Sequence, residues 1–106
     1  MKIDLTGRTA LVTGSTSGIG HATAESLARA GAEVVVNGRD EQRVADAVEG
    51  LQKVTGSAAI RGIAADVGTA EGVAKIITEL ADVDVLVNNA GIFAATPVFE
   101  IPDADW

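Results

Sequence analysis

Apolar residues along the chain alternate between two kinds of pattern. Residues 33–37, Glu-Val-Val-Val-Asn, form a short continuous run with the β-branched composition of a strand buried on both faces. Longer segments between such runs place apolar residues three or four positions apart, as at Val44, Val48 and Leu51, which is the spacing of one helix face. The pattern predicts strands over residues 8–13, 33–37, 59–64 and 83–88, and helices over residues 19–30, over residues 41–54 and from residue 69 onwards.

Residues that begin and end helices agree with this assignment. Gly31 follows the first helix where a C-terminal glycine belongs, and Gly56 ends the second. Asp40 is placed to cap the start of the second helix, and Thr69 opens the third. The third helix is predicted to carry a full apolar stripe, consisting of Val73, Ile76, Ile77 and Leu80.

Strands that alternate with helices predict βαβ units and a parallel sheet with right-handed crossovers. We therefore expect one α/β domain over residues 1–106, a Rossmann-like doubly wound sheet with strand order 3-2-1-4 and three helices. In that order the fourth strand is an edge, although Val85, Leu86 and Val87 suit a buried interior. This mismatch predicts an incomplete domain whose sheet continues beyond Trp106.

A glycine-rich turn joins the first strand to the first helix, with the sequence Thr13-Gly14-Ser15-Thr16-Ser17-Gly18-Ile19-Gly20. Glycine tolerates positive φ and lets the backbone approach a ligand closely. The start of the helix offers unpaired N–H groups and a partial positive charge to a pyrophosphate. The stretch predicts a phosphate-binding turn, and an ordinary strand-to-helix connection is the alternative.

Composition narrows the class of protein. The chain has 106 residues and a net charge of −7, which argues against nucleic acid as a partner but leaves a local anion site possible. Cysteine is absent, and no group of residues has metal-ligand spacing, so no metal site is predicted. The sequence has no signal peptide and no apolar run of about 20 residues, so we expect a cytoplasmic protein without membrane association.

Three further motifs follow the glycine turn, namely Asn37-Gly38-Arg39, Asp66-Val67 and Asn88-Asn89-Ala90-Gly91. Together with the Gly-x-x-x-Gly-x-Gly spacing of the turn, they resemble the short-chain dehydrogenase/reductase family from about residue 5 to residue 106. The matching segment corresponds to roughly the first two-fifths of a typical member.

The resemblance implies how the glycine turn binds a dinucleotide. Gly14 makes the tight turn, and Ile19 contributes a backbone N–H. Gly18 and Gly20 let the helix start approach the pyrophosphate. The hydroxyl residues are expected on the side of the adenosine phosphates, and they are Ser15, Thr16 and Ser17.

The second motif bears on the choice between NADP and NAD. By resemblance Asn37, Gly38 and Arg39 meet the adenosine ribose, with Gly38 at the place of the acid that selects NAD. A guanidinium at Arg39 suits a 2′-phosphate, which favours NADP. NAD stays possible because the glycine turn lacks the basic residue of some NADP-preferring relatives. Arg39 could instead be a solvated side chain paired with Asp40 or Glu41.

The last two motifs are expected to contact the rest of the cofactor. By resemblance Asp66 accepts a hydrogen bond from the adenine amino group and Val67 packs against the ring, whereas a mere turn cap is the alternative for Asp66. Asn89 is expected to contact the cofactor, and Asn88 to tie strands together. The backbone that comes near the nicotinamide ribose also includes Ala90 and Gly91.

The resemblance implies hydride transfer between a nicotinamide cofactor and a ketone or secondary alcohol. Family members use an Asn, a Ser and a Tyr-x-x-x-Lys that lie beyond the matching segment, and this sequence contains no tyrosine. No catalytic residue is therefore assigned, and we expect the 106 residues alone to be inactive. The full-length parent is expected to be a dimer or tetramer that takes a small-molecule substrate.

Two alternatives stay open. The chain could be a complete gene product that serves as a non-catalytic nucleotide-binding or interaction module. A methyltransferase-like fold also uses a glycine turn, but it does not explain the Asn-Asn-Ala-Gly motif at residues 88–91.

Overall fold

The structure, a computed structural model, describes residues 3–80 and 82–89. In this part of the chain strands and helices alternate as predicted, and each boundary lies within two residues of its predicted position. The elements are β1 (Thr9–Val12), α1 (Gly18–Arg29), β2 (Glu33–Gly38), α2 (Glu41–Thr55), β3 (Ile60–Ala64), α3 (Ala70–Glu79) and β4 (Val85–Val87).

The strands form a parallel sheet in the order β3-β2-β1-β4, which confirms the predicted topology. Val12 at the end of β1 lies opposite Val36 of β2 and Val87 of β4, so the carboxyl ends of these strands meet at one edge. The β4 ladder begins later than predicted, after Asp84. There the Asp84 carboxylate accepts a hydrogen bond from the Thr9 amide at 2.8 Å, where a paired strand would supply a carbonyl.

Side chains alternate between the two faces of the sheet and build a separate core on each. Val34 and Val36 face α1 and α2, where Leu51 is fully buried. Val35 faces the opposite side and joins the core beneath α3. Strand β2 is therefore buried on both faces, as its unbroken β-branched run predicts.

Only half of the apolar stripe of α3 is buried in the described structure. Ile76 and Leu80 are buried under the sheet, whereas Val73 is 41% exposed and Ile77 is 67% exposed. Leu86 of β4 is also exposed, at 63%. None of the described elements covers this side, and the predicted continuation of the sheet beyond Trp106 lies outside the described residues.

Side chains from two helices bind carbonyls on the outer edge of β3. On the outer edge of β3, the Gln52 side chain donates to the Ile60 carbonyl at 3.2 Å, and Lys75 Nζ donates to the Ala64 carbonyl at 2.7 Å. These carbonyls belong to alternate residues that point away from β2. The edge of β3 is therefore partly covered by side chains of α2 and α3.

Candidate functional site

A groove with a volume of about 1430 Å³ opens where the carboxyl ends of the strands meet. Its lining comes from the glycine turn, the end of β2, the β3–α3 connection, α3 and the segment after β4. In doubly wound sheets, ligands bind in this crevice, at the point where the strand order reverses. Here that point lies between β1 and β4.

The glycines of the turn are needed for its shape. Gly14 has φ 60° and Gly18 has φ 64°, both in the left-handed region that other residues rarely adopt. Gly20 stands so close to the turn that an added Cβ would lie 2.7 Å from Asn89 Nδ2 and even closer to the Gly14 carbonyl oxygen. Helix α1 therefore packs directly against the turn that precedes it.

The start of α1 differs from the starts of the other helices. Its N-cap residue, Ser17, makes no side-chain cap hydrogen bond, and the first turn has no acidic residue. By contrast, Asp40 caps α2 and Thr69 caps α3, as predicted, and each of those helices has an acid in its first turn. The start of α1 is exposed at Ser17, Gly18 and Ile19, and neither a side-chain cap nor an acid in the first turn compensates its partial positive charge.

The three hydroxyl residues of the turn have different surroundings. Ser15 is fully buried, and its hydroxyl donates to the Val12 carbonyl at 2.6 Å and accepts from the Asn37 amide at 2.9 Å. Thr16 is half-buried and packs over Gly38, where an added Cβ would lie 2.6 Å from Thr16 Cγ2. Ser17 is exposed. The structure therefore gives the Ser15 hydroxyl an internal role and leaves Thr16 and Ser17 towards the outside.

Asn37 is 1% exposed, and its side chain is held inside the protein. Its Oδ1 accepts from the Gly14 amide at 3.3 Å, and its Nδ2 donates to the carbonyls of Ile63 at 3.1 Å and Ala65 at 3.2 Å. The sequence motif predicted that this residue meets the ribose. In the structure its side chain binds the glycine turn and the end of β3, and the predicted position beside the ribose stays a prediction.

Two arginines lie at the groove beside Gly38. Arg39 is exposed and makes no ion pair with Asp40 or Glu41 in the described structure, where the Asp40 carboxylate instead accepts from the amides of Gln42 and Arg43. Arg43 lines the same groove from the first turn of α2. The sequence motifs did not indicate Arg43, because Arg39 lies before the Asp40 cap and the helical spacing does not relate the two residues.

The Asp66-Val67 segment follows β3 and lines the groove. Asp66 Oδ1 accepts from the Gly68 amide at 2.8 Å, and the Asp66 carbonyl accepts from the Thr69 hydroxyl at 2.9 Å. Asp66 therefore stabilises the local turn, which is one of the two roles predicted for it. Val67 is half-buried and lines the groove next to it.

The segment after β4 is tied to β1 and to the glycine turn. The Thr13 hydroxyl lies 3.2 Å from Asn88 Oδ1, which agrees with the predicted strand-tying role of Asn88. Asn89 Nδ2 donates to the Gly14 carbonyl at 3.1 Å, while its backbone amide donates to Thr13 Oγ1 at 2.9 Å. The remaining predicted site residues, Ala90 and Gly91, lie outside the described residues.

The fold is a Rossmann-like doubly wound sheet, and comparison with known proteins identifies the family. The family model described as short chain dehydrogenase matches residues 8–106. The chain therefore belongs to the short-chain dehydrogenase/reductase family.

Relatives of known sequence include the uncharacterized oxidoreductase YvaG of Bacillus subtilis, which is 48% identical over 106 residues. That match covers 100% of this chain and 40% of YvaG. Gluconate 5-dehydrogenase of Gluconobacter oxydans is 39% identical, with 96% of this chain and 41% of that protein covered. The chain thus spans about two-fifths of the length of these relatives.

Among solved structures, the L-sorbose reductase of Gluconobacter frateurii in complex with NADPH and L-sorbose superposes with a TM-score of 0.81 at 35% identity. The superposition covers 100% of this chain and 41% of that one. In the described part of this chain, no helix has the length and apolar character needed to cross a membrane.

Proposed function

We propose that the groove binds the adenosine half of a nicotinamide dinucleotide, with NADP preferred over NAD, through a single dinucleotide-binding domain over residues 1–106. The observation that carries this proposal is the uncapped start of α1 at Gly18, which follows the left-handed Gly14 at the β1–β4 switch point. A pyrophosphate would satisfy the amides of this helix start and the partial positive charge there.

The preference for NADP follows from the surroundings of Gly38. No acidic side chain occupies that position, and the nearby Asp40 carboxylate is bonded to the first amides of α2. Arg39 and Arg43 bring two positive charges to a protein whose net charge is −7. A 2′-phosphate would be bound by charge-assisted hydrogen bonds from these guanidinium groups, with Thr16 beside them.

In the full-length protein, we propose hydride transfer between the nicotinamide and a ketone or secondary alcohol of a small-molecule substrate. Family resemblance assigns the proton transfer to a tyrosine, and these 106 residues contain none. This chain's proposed share of the reaction is to hold and orient the cofactor, because hydride transfer requires the nicotinamide to be fixed near the reacting carbon. A cytoplasmic location and a homo-oligomeric state are part of the same proposal.

A titration of the full-length polypeptide with NADPH and with NADH tests this function. Binding of NADPH at least tenfold tighter than NADH is expected, because one 2′-phosphate contact with guanidinium groups contributes about 1.5–3 kcal/mol. Lack of binding by both nucleotides would contradict the proposal. Binding without oxidation or reduction of any of a panel of ketones and alcohols would instead support a non-catalytic nucleotide-binding module.

A further inference from the structure

We infer that Asn37 is a positioning residue, whose buried carboxamide fixes the glycine turn to β2 and β3 and so sets the direction of the amides offered to the dinucleotide. The inference rests on the proposed function and deepens it. In this role the Asn37 side chain acts on the cofactor through Gly14 and does not itself contact the ribose. The Asn37 side chain is 1% exposed, and both its Oδ1 and its Nδ2 are hydrogen-bonded.

Five hydrogen bonds no longer than 3.3 Å converge on this residue. The side chain accepts one from Gly14 and donates one each to the carbonyls of Ile63 and Ala65. The backbone exchanges two more with Ser15, because the Asn37 amide donates to Ser15 Oγ at 2.9 Å and the Ser15 amide donates to the Asn37 carbonyl at 2.8 Å. Three segments of the chain, the turn and the ends of β2 and β3, are thereby joined at one point.

The chemistry of the site requires a carboxamide. Asn combines an acceptor with two donors in one short side chain. The opposite orientation of the amide would place donor against donor at Gly14 and acceptor against acceptor at the two carbonyls, so the partners fix the orientation. A carboxylate at this position would face the carbonyls of Ile63 and Ala65 without a proton to donate. Leucine has a similar size but would leave the partly buried Gly14 amide without its acceptor.

Gly14 is held from both sides. Asn37 binds its amide from the β2 side, and Asn89 Nδ2 binds its carbonyl from the β4 side. Its left-handed φ of 60° is maintained between these two contacts. Without Asn37, we expect the sheet and α1 to persist while the turn loses its fixed direction. Cofactor affinity then falls more than the rate of the bound complex.

The variants Asn37→Leu and Asn37→Asp, made in the full-length polypeptide, test this inference by two readouts. The first is the hydrogen-exchange rate of the Gly14 amide, and the second is the dissociation constant for NADPH. Both are expected to rise by about tenfold or more, which corresponds to the loss of one or two buried hydrogen bonds. If the protein turns over substrate, KM for the cofactor should rise while kcat changes by less than about threefold.

Leu51→Ala is the matched control. Leu51 is fully buried in α2 and does not line the groove, so its truncation lowers Tm without touching the turn. We expect Gly14 exchange, scaled to global stability, and NADPH affinity to stay within about twofold of the unsubstituted protein, because distant sites act independently.

The outcomes separate this inference from the proposed function. Asn37→Leu that binds NADPH as tightly as the unsubstituted protein, or that leaves Gly14 exchange unchanged, overturns the positioning role. Failure of the unsubstituted protein to bind NADPH and NADH contradicts the proposed function instead, and the exchange of Gly14 then still decides whether Asn37 holds the turn.

Discussion

The Thr13 hydroxyl and the Asn89 backbone amide are joined by a 2.9 Å hydrogen bond that links the end of β1 to the segment after β4. Thr13 is 5% exposed, and its hydroxyl also lies 3.2 Å from Asn88 Oδ1. One side chain therefore fixes both asparagines beside the glycine turn.

Replacing Thr13 by valine keeps the shape of the side chain and removes this link. We expect the free energy of unfolding to fall by about 0.5–1.5 kcal/mol, because a partly buried amide loses its acceptor. Urea denaturation measures the change. Thr23→Ala is the control, since the Thr23 hydroxyl bonds only to the Ile19 carbonyl within α1 and its loss should stay within about 0.5 kcal/mol. Equal effects of the two variants would contradict the role of Thr13.

Gly20→Ala tests the close packing of α1 on the turn. The added methyl would collide with the Gly14 carbonyl and lie 2.7 Å from Asn89 Nδ2, so we expect weaker dinucleotide binding and a lower Tm. Gly50→Ala in α2 is the control because an added Cβ there meets nothing within 4 Å. That variant should gain about 0.5–1 kcal/mol of stability, as glycine in a helix interior costs that much relative to alanine.

Arg39→Ala tests the recognition of the 2′-phosphate. NADPH affinity should fall by about tenfold or more, and NADH affinity should change by less than about twofold, since only NADPH carries the charge that the guanidinium binds. Arg43→Ala should also lower the affinity for NADPH relative to that for NADH. Arg61→Ala removes an arginine of β3 that pairs with Glu33 and should leave the ratio of the two affinities unchanged. A parallel loss for both nucleotides in Arg39→Ala would remove Arg39 from the phosphate site.

The pair Ser15→Ala and Ser17→Ala separates an internal hydroxyl from an external one. Ser15→Ala should lower the free energy of unfolding by about 1–3 kcal/mol, because the buried Asn37 amide loses its acceptor. Ser17→Ala should change it by less than about 0.5 kcal/mol, because Ser17 is exposed and makes no cap hydrogen bond. Denaturation curves of the two variants decide between these roles, and similar losses would contradict the assignment.

Sequence patterns predicted the order and type of all the described elements, because β2 is buried on both faces and α2 has one apolar face with Asp40 at its start. They did not indicate which half of the α3 stripe is buried, since periodicity shows which residues can be buried but not whether a neighbouring element covers them.

The site was predictable at the level of the motif but not of the individual side chain. The glycines were recognisable because their backbone geometry requires them. The inward direction of Ser15 and Asn37 was not, because it depends on carbonyls at Val12, Ile63 and Ala65 that come together only in the folded sheet.

The covering of Ile60 and Ala64 carbonyls by Gln52 and Lys75 gives the sheet a preferred direction of growth. A strand from another chain that approached β3 would meet the Lys75 ammonium group, and two carbonyl acceptors of β3 would already be hydrogen-bonded. The β4 flank, with its outward Leu86, carries no comparable barrier among the described residues. A strand that adds to this sheet is therefore expected to pair with β4 and not with β3.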